Sequence, residues 1–351
     1  IDAWLAAQGR TAASFHPVER LCYVGRRGMG ALEFEPALLG EPTPEREADV
    51  AKLVQLASRV LDRRSGLRGV FTGEDDREAI DDILRVGTSA GGARAKAVLA
   101  WNPRTGAFRS GQVDVEAGFE PWLMKFDGVA GSGDHGVADP QGYGKVEYAY
   151  HLMATAAGVR MAPCRLHHEG GRSHFMTRRF DRTTGGDKLH LQSLGAMAHL
   201  DFNQPGAHSY EQALEVMKRL QLPREDLEQQ VLRAMFNVAA RNQDDHVKNI
   251  AFLMDRQGAW RLAPAYDVTF ACNPRSTWTS RHQMSVAGRR ENIASDDLLA
   301  LAARAGLKTR PARALLAQVR AAVGDWYAYA EQAGVDETRA RAIGSLLRAD
   351  L

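Results

Sequence analysis

The sequence predicts an α+β protein of two lobes, in which a β-rich lobe with an extra N-terminal subdomain precedes an all-α lobe. Three observations support this prediction. At 351 residues, the chain exceeds one average domain. Glycines and short apolar strands dominate residues 87–180, whereas amphipathic helical periodicity dominates from residue 208 onward. A turn-rich break at 183–186 separates the two patterns.

The first predicted domain, residues 1–85, is a small α-rich subdomain. It contains a glycine-bearing turn at Gly25–Gly30 and a long helix predicted over 45–65. An amphipathic pattern is already under way at Ile1. We therefore expect that the chain is part of a longer gene product and that this subdomain is truncated at its start.

The second and third predicted domains are the β-rich lobe, residues 86–182, and the α-helical lobe, residues 183–351. Apolar residues bounded by glycine predict short strands in the second domain, and a spacing of i, i+3, i+4 and i+7 predicts one helix within it. The predicted strands are 97–101, 122–126, 164–166 and 174–180, the helix of the β-rich lobe is 145–158, and the later helices are 208–220, 224–241, 295–305, 310–331 and 336–349.

The composition argues against several classes of protein. The charge is balanced, with 45 Lys and Arg against 43 Asp and Glu, so the whole surface is not an electrostatic trap for nucleic acid. The three cysteines lie far apart and form no CxxC pair, which argues against a disulfide framework or a zinc site. Neither an apolar run long enough to span a bilayer nor a signal-peptide pattern is evident. We expect a cytoplasmic protein that is not embedded in a membrane.

The most informative segment runs from Arg241 to Asn249 and reads RNQDDHVKN. Asp244 and Asn249 have the four-residue gap that separates the base Asp from the metal-binding Asn in protein kinases. A predicted hairpin over 250–262 then returns the chain to Asp267. Because magnesium prefers a few carboxylate and amide oxygens together with substrate phosphates, Asn249 and Asp267 are predicted to hold Mg²⁺ and Asp244 to act as the base.

Other interpretations of this segment remain open. Asp245 competes with Asp244 for the role of base, although only Asp244 has the four-residue gap. Either His246 or Lys248 could place a positive charge near the γ-phosphate of ATP. In a purely structural interpretation, Asp244 stabilises a loop after a helix and Asp267 caps a turn.

The residues expected on the nucleotide side lie in the β-rich lobe. Lys125 stands in a short apolar strand, where a cation needs a partner, and is predicted to contact the α- and β-phosphates. Glu147, early in the next helix, is a candidate for an ion pair with Lys125, although compensation of the helix dipole explains it equally well. Small residues and glycines predict a loop that covers the phosphates. Its predicted contacts are Ser89, Ala90, Gly91, Gly92, Ala93 and Arg94.

With these residues in place, the chain resembles the HipA family of bacterial toxin kinases. The resemblance implies a bilobed, protein-kinase-like fold with an added N-terminal subdomain, and ATP and Mg²⁺ as cofactors. The similar segments are Tyr23–Leu32, the glycine-rich loop at 87–96, the strand of Lys125, Phe175–Arg182, Asn242–Asn249 and Leu262–Val268.

The same resemblance implies further site residues. The strand before Asp181 is expected to be the hinge beside the adenine, with main-chain groups of Arg178, Arg179 and Phe180 bonding the base. Ser89 matches the serine that family members autophosphorylate. A phosphate there carries about −1.5 to −2 charges and would repel ATP, which silences the enzyme.

The resemblance finally implies the partners. These are a protein substrate, for which relatives suggest an aminoacyl-tRNA synthetase, and a HipB-like DNA-binding antitoxin through which operator DNA is contacted. The implied function is a Ser/Thr protein kinase toxin. Two alternatives stay open: a small-molecule kinase of the aminoglycoside or choline type, which shares the Asp–Asn spacing, and a non-catalytic pseudokinase that acts as a co-repressor.

Overall fold

The computed structural model describes Leu5 and residues 9–38, 48–55, 94–112, 117–129, 141–183 and 185–351. The chain divides into two compact units. The first unit comprises residues 1–144 and 165–188, and the second comprises residues 145–164 and 189–351.

The first unit contains a five-stranded sheet in the order β2-β1-β3-β5-β4. The pairs β1–β2, β1–β3 and β3–β5 are antiparallel. Apolar side chains of β1, β3 and β5 pack with the helical residues 50–55 into one core, which includes Leu99, Met124 and Met176. The strands are β1 Lys96–Trp101, β2 Phe108–Ser110, β3 Glu120–Lys125, β4 Cys164–Glu169 and β5 Arg172–Arg178.

Near the N-terminus, helix α1 covers Pro17–Val24. Proline at its first position fits the fixed φ of that residue, and the His16 side chain accepts a hydrogen bond from the main-chain N–H of Val18. The helix ends at Gly25, whose φ of 52° suits glycine. Leu5, Phe15 and Tyr23 form a small apolar cluster of their own.

The helices of the second unit pack around one large core. Helix α2 begins at the end of the first unit, and its apolar face places Val146, Tyr150 and Met153 in this core. For that reason residues 145–164 fall in the second unit, although the sequence analysis assigned them to the β-rich domain. The remaining predicted division, 1–85, 86–182 and 183–351, stays a prediction. The helices are α2 Tyr143–Ala156, α3 Leu194–Met197, α4 Tyr210–Arg219, α5 Arg224–Ala239, α6 Ser295–Arg304, α7 Thr309–Gly324, α8 Trp326–Gln332 and α9 Glu337–Gly344.

The helix predicted over 310–331 is in fact two helices, α7 and α8. The break falls at Gly324 and Asp325, where glycine lowers helix propensity and aspartate is favoured at a helix start. Within the described part of the chain, no helix combines the length and the hydrophobicity needed to cross a membrane.

Two small sheets accompany these helices, so the lobe that the sequence predicted to be all-α also contains strands. The predicted hairpin over 250–262 is present as β8 and β9, which extend an antiparallel sheet in the order β6-β8-β9. β7 and β10 form a short parallel pair. Strands of two to four residues are too short for a readable alternation and depend on these pairings. They are β6 His190–Ser193, β7 His208–Ser209, β8 Ala251–Met254, β9 Trp260–Leu262 and β10 Met284–Ser285.

Candidate active site

The loop of residues 241–249 follows helix α5 and closes on itself through Asn249. The side-chain Nδ2 of Asn249 donates to the main-chain carbonyl of Asp244 at 2.9 Å, and its main-chain N–H donates to the carbonyl of His246 at 2.9 Å. Because Nδ2 makes this bond, the amide oxygen Oδ1 is the atom that Asn249 offers as a ligand. We call residues 241–249 the catalytic loop, after the role that the sequence predicts for them.

The β8–β9 hairpin returns the chain beside the catalytic loop. Its continuation is held by Arg233, whose Nη2 donates to the carbonyl of Ala263 at 2.7 Å. The hydroxyl of Tyr266 donates to the main-chain carbonyl of Lys248. The residue preceding Asp267 is therefore bonded to the residue preceding Asn249.

Asp267 has an unusual backbone conformation, with a φ of 57°. Apart from glycine, Asn and Asp are the residues that adopt this left-handed region most readily. Strained backbone is common where a side chain must be aimed at a ligand. The carboxylate of Asp267 also acts electrostatically on His246, where it opposes the effect of burial on the imidazole pKa.

The surroundings of His246 bear on the expectation that it could carry a positive charge. Burial lowers the pKa of His246 below its usual value despite the nearby Asp267, which disfavours the charged ring, and the expectation itself stays a prediction. Both candidates lie beside Phe202: the His246 ring is 5.7 Å away in an edge-on geometry, and the Nζ of Lys248 is 3.1 Å from the ring centroid. A positive charge in this position would come from Lys248.

The two candidate bases differ in their surroundings. The carboxylate of Asp245 is buried and accepts three hydrogen bonds, from Tyr210, His282 and the main chain of Gln283. Burial disfavours its charge, but His282 and the other donors hold its pKa below the usual value. Asp244, in contrast, is partly exposed. This geometry favours Asp244 as the residue that could meet an acceptor hydroxyl.

A small cavity lies beneath the catalytic loop, within the second unit. Several buried polar atoms near it have no hydrogen-bond partner, among them Gln230 Oε1, Arg233 Nε and Asn242 Oδ1. Burial, reinforced by Arg160, lowers the pKa of Arg233 to about 9. Such an interior is polar and depends on exact placement of its hydrogen bonds.

A buried acid at the start of helix α5 fixes strand β9. Asp226 accepts hydrogen bonds from Arg160, from Arg261 Nε at 2.9 Å and from the main-chain N–H of Leu262 at 2.9 Å. This network sets where the chain leaves β9 toward Asp267. Nothing in the sequence pattern pointed to Asp226, since an acidic residue in a first helical turn is ordinary.

In the first unit, Lys125 ends strand β3 and is buried. Its partners in the sheet are Lys96 and Phe175, and its Nζ lies 5.8 Å from the centroid of the Phe175 ring. Glu147 is a buried residue of helix α2 in the second unit. The predicted ion pair between Lys125 and Glu147 stays a prediction.

Two residues after Lys125, Asp127 binds main-chain groups of the segment that leads into helix α2. Its carboxylate accepts hydrogen bonds from the main-chain N–H groups of Gly142 at 2.8 Å and of Gly144 and Ser173 at 3.3 Å. Asp127 was not among the residues predicted from the sequence. Its position two residues after the predicted lysine is the only feature of the sequence that could have drawn attention to it.

The predicted hinge residues lie at the end of strand β5. Arg179 makes a two-pronged ion pair with the buried Asp181, at 2.9 and 2.8 Å. The main-chain N–H of Arg179 donates to the carbonyl oxygen of Pro121 at 2.9 Å. This bond occupies only the N–H of Arg179, and the expected contact of main-chain groups of Arg178, Arg179 and Phe180 with an adenine base stays a prediction.

Most of the predicted phosphate-covering loop lies outside the described residues, namely Ser89, Ala90, Gly91, Gly92 and Ala93. Arg94 is described, and its guanidinium carbon lies 3.8 Å from the centroid of the Tyr143 ring. The contacts expected of this loop, and the modification expected at Ser89, stay predictions.

Comparisons with known proteins agree with this architecture. The family model of the HipA-like C-terminal domain matches residues 88–327. The protein named "Putative kinase Y4mE" from Sinorhizobium fredii is 29% identical over 125 residues, which are 33% of this chain and 30% of that relative. The chain thus spans less than a third of this curated relative.

A solved structure covers nearly the whole chain. HipA of Shewanella oneidensis MR-1, in a complex of the toxin–antitoxin system with HipB and its operator DNA, matches with a TM-score of 0.66 at 17% identity. The match covers 97% of this chain and 78% of that chain. It confirms the predicted α+β, kinase-like fold.

Proposed function

Because this chain belongs to the HipA-like C-terminal domain family, we propose that it is an ATP-dependent Ser/Thr protein kinase. One observation supports this most directly. The amide of Asn249 bonds the main chain of Asp244, and Tyr266 bonds the main chain of Lys248, so hydrogen bonds link the segments that carry the predicted base and the two predicted metal-binding residues. This linkage supports the proposal, because phosphoryl transfer uses such carboxylate and amide oxygens together.

In the proposed reaction, the acceptor hydroxyl oxygen attacks the γ-phosphorus of ATP, and the bond to the bridging oxygen of ADP breaks. Asp244 orients the hydroxyl and takes its proton. The partial exposure of Asp244 suits this role, since the acceptor must reach it from outside.

Asn249 Oδ1 and the Asp267 carboxylate would hold Mg²⁺. They form the hard-oxygen set that this ion accepts alongside phosphate oxygens. When bound, the ion would neutralise charge on the transferred phosphoryl group. Lys248, beside Phe202, could add a positive charge at the same place.

On the nucleotide side, Lys125 would contact the α- and β-phosphates. Its burial at the end of a strand supports this role, because a buried ammonium needs anionic partners. Glu147 would pair with Lys125, and the loop from Ser89 to Arg94 would cover the phosphates. Main-chain groups of Arg178, Arg179 and Phe180 would bond the adenine.

The proposed biological role is that of a toxin kinase in a toxin–antitoxin system. Its partner would be a HipB-like antitoxin that carries it to operator DNA, and its acceptor would be a protein, with an aminoacyl-tRNA synthetase as the first candidate. Autophosphorylation of Ser89 would silence it. The support is family membership and the fold shared with the Shewanella HipA, whose solved complex contains HipB and operator DNA.

The test is the purified full chain incubated with γ-labelled ATP and Mg²⁺. We expect label to enter the protein itself and mass spectrometry to place it on Ser89. Asp244→Asn should abolish transfer while nucleotide affinity by calorimetry is retained, because the base is not needed to hold ATP. Transfer only to an added aminoglycoside or choline would replace this proposal with the small-molecule kinase, and equal toxicity of Asp244→Asn in cells would support the pseudokinase.

A further inference from the structure

Asp245, the residue after the proposed base, makes three hydrogen bonds that none of the roles proposed above uses. Its carboxylate accepts from the Tyr210 hydroxyl at 2.7 Å, from His282 Nδ1 at 2.8 Å and from the main-chain N–H of Gln283 at 2.8 Å. Because an ionised carboxylate only accepts, the proton of the His282 bond resides on Nδ1. One buried side chain thus joins three segments that are distant in sequence.

These donors are themselves held in place. The Tyr210 hydroxyl accepts a hydrogen bond from Asn237 Nδ2 at 2.9 Å, which directs its own proton toward Asp245. The main-chain N–H of His282 donates to the carbonyl of Arg290, and the carbonyl of His282 accepts from the side-chain Nε of Arg290. The parallel pairing of β7 with β10 fixes the start of helix α4 next to the segment that carries His282. Because its donors are themselves held in place, the Asp245 carboxylate can satisfy all three hydrogen bonds in one position only.

The position of Asp245 constrains Asp244, because the two residues share a peptide bond. On the Asp244 side, the carbonyl is held by Asn249 Nδ2 at 2.9 Å. On the other side, Asp245 cannot move without leaving an ionised carboxylate buried and unsatisfied, which is strongly unfavourable. The main chain at 244–245 is therefore restrained on one side by Asn249 and on the other by the donors to Asp245.

We propose that Asp245 is a positioning residue that, through Tyr210 and His282, holds the Asp244 carboxylate where an acceptor hydroxyl can meet it. This inference rests on the proposed kinase function. It assigns a task to a residue that the sequence left as a rival base. A general structural role would lower stability and nucleotide affinity together with activity, whereas a positioning role lowers the transfer rate selectively.

The experiment uses Tyr210→Phe, which removes one donor and keeps the ring and the other two bonds to Asp245. We expect the transfer rate constant at saturating ATP to fall on the order of tenfold, because small displacements of a reacting group are amplified in rate. Nucleotide affinity should stay within about twofold, since ground-state binding is not involved. The matched control is Tyr150→Phe, which removes another buried tyrosine hydroxyl bond, to the carbonyl of Ala240 at 2.6 Å, and should leave the rate constant unchanged.

A second pair of variants tests the same idea by rescue. His282→Asn keeps an N–H close to the position of Nδ1 and should retain most of the transfer rate, whereas His282→Leu should lose it. The positioning role is overturned if Tyr210→Phe transfers at the wild-type rate, or if its rate falls only in parallel with nucleotide affinity and melting temperature. Absence of transfer by the unchanged protein would overturn the kinase function itself, so the two failures are distinguishable.

Discussion

The hydroxyl of Tyr266 donates a hydrogen bond to the main-chain carbonyl of Lys248 and so joins the neighbours of the two proposed metal-binding residues, Asp267 and Asn249. Burial, reinforced by Asp267, raises the pKa of Tyr266 above its usual value, which keeps the donor proton in place. This side chain therefore contributes directly to the spacing of the two proposed metal-binding segments.

Replacing Tyr266 by Phe should loosen that spacing. We expect a loss of about 0.5–1.5 kcal/mol in the free energy of unfolding, since a half-buried carbonyl loses its partner. We also expect a higher Mg²⁺ concentration for half-maximal phosphoryl transfer. Urea unfolding and a Mg²⁺ titration of the transfer rate measure the two effects. Tyr327→Phe, at a tyrosine that is 55% exposed, is the control. An unchanged Mg²⁺ requirement in Tyr266→Phe would contradict the proposed link.

The backbone of Asp267 determines how its metal role is best tested. At a φ of 57°, alanine would add strain of its own, whereas asparagine tolerates the left-handed region. Asp267→Asn should therefore keep the fold and remove only the charge. We expect weaker nucleotide binding in the presence of Mg²⁺ and little change in its absence, as measured by calorimetry. Equal affinity of this variant and the wild type with Mg²⁺ would argue against the metal role.

The spacing of Asp244 and Asn249 was readable from the sequence because the loop is local and closes through a bond between these two residues. The hairpin that leads to Asp267 was readable for the same reason. Helix α5 was predicted to within two residues at its end, since its apolar period is strong.

The parts that the sequence could not reveal depend on tertiary packing. Tyr210 and His282 meet Asp245 across more than thirty residues of chain, and neither stands in a motif. The lowered pKa of His246 follows from its burial, which no local pattern encodes. Residues 145–156 carry a helical period that is compatible with either lobe, so the period alone could not assign them.

The buried Asp226 predicts a dependence of stability on pH. Burial opposes its charge, but hydrogen bonds from Arg261, Arg160 and Leu262 hold its pKa below the usual value. Its stabilising contribution is therefore complete above an unfolded-state pKa of about 3.9 and is lost as the pH falls through the lower folded-state pKa.

Asp226→Asn should lower the free energy of unfolding at pH 7 by about 1.5–3 kcal/mol, the range for hydrogen bonds to charged groups. The difference from wild type should shrink as the pH falls below about 4. Urea unfolding at a series of pH values from 3 to 7 measures it. Glu228→Gln, which breaks an exposed pair with Arg224 on the same helix, should stay within about 0.5 kcal/mol. A pH-independent difference would show that the charge of Asp226 is not what stabilises strand β9.

Gly144, the second residue of helix α2, lies directly against the main chain of strand β5. A Cβ at this position would lie 2.1 Å from the carbonyl oxygen of Ser173 and 3.2 Å from the main-chain nitrogen of Phe175. Both atoms belong to strand β5, whose sheet pairing prevents them from moving aside. Gly144→Ala should therefore displace this part of the chain and weaken its bonds to Asp127.

We expect Gly144→Ala to lower the free energy of unfolding by about 1–3 kcal/mol or more, as overpacking does. Gly324→Ala is the matched control, because it lies at the end of helix α7 with nothing within 4 Å of the added Cβ. In the middle of a helix this exchange is worth roughly 0.5–1 kcal/mol in favour of alanine, and less is expected at the helix ends where both glycines lie. Gly324→Ala should therefore leave the melting temperature unchanged or slightly raised, whereas Gly144→Ala should lower it because of the clash with Ser173. A Gly144→Ala protein as stable as Gly324→Ala would mean that the chain at Gly144 is not pressed against strand β5.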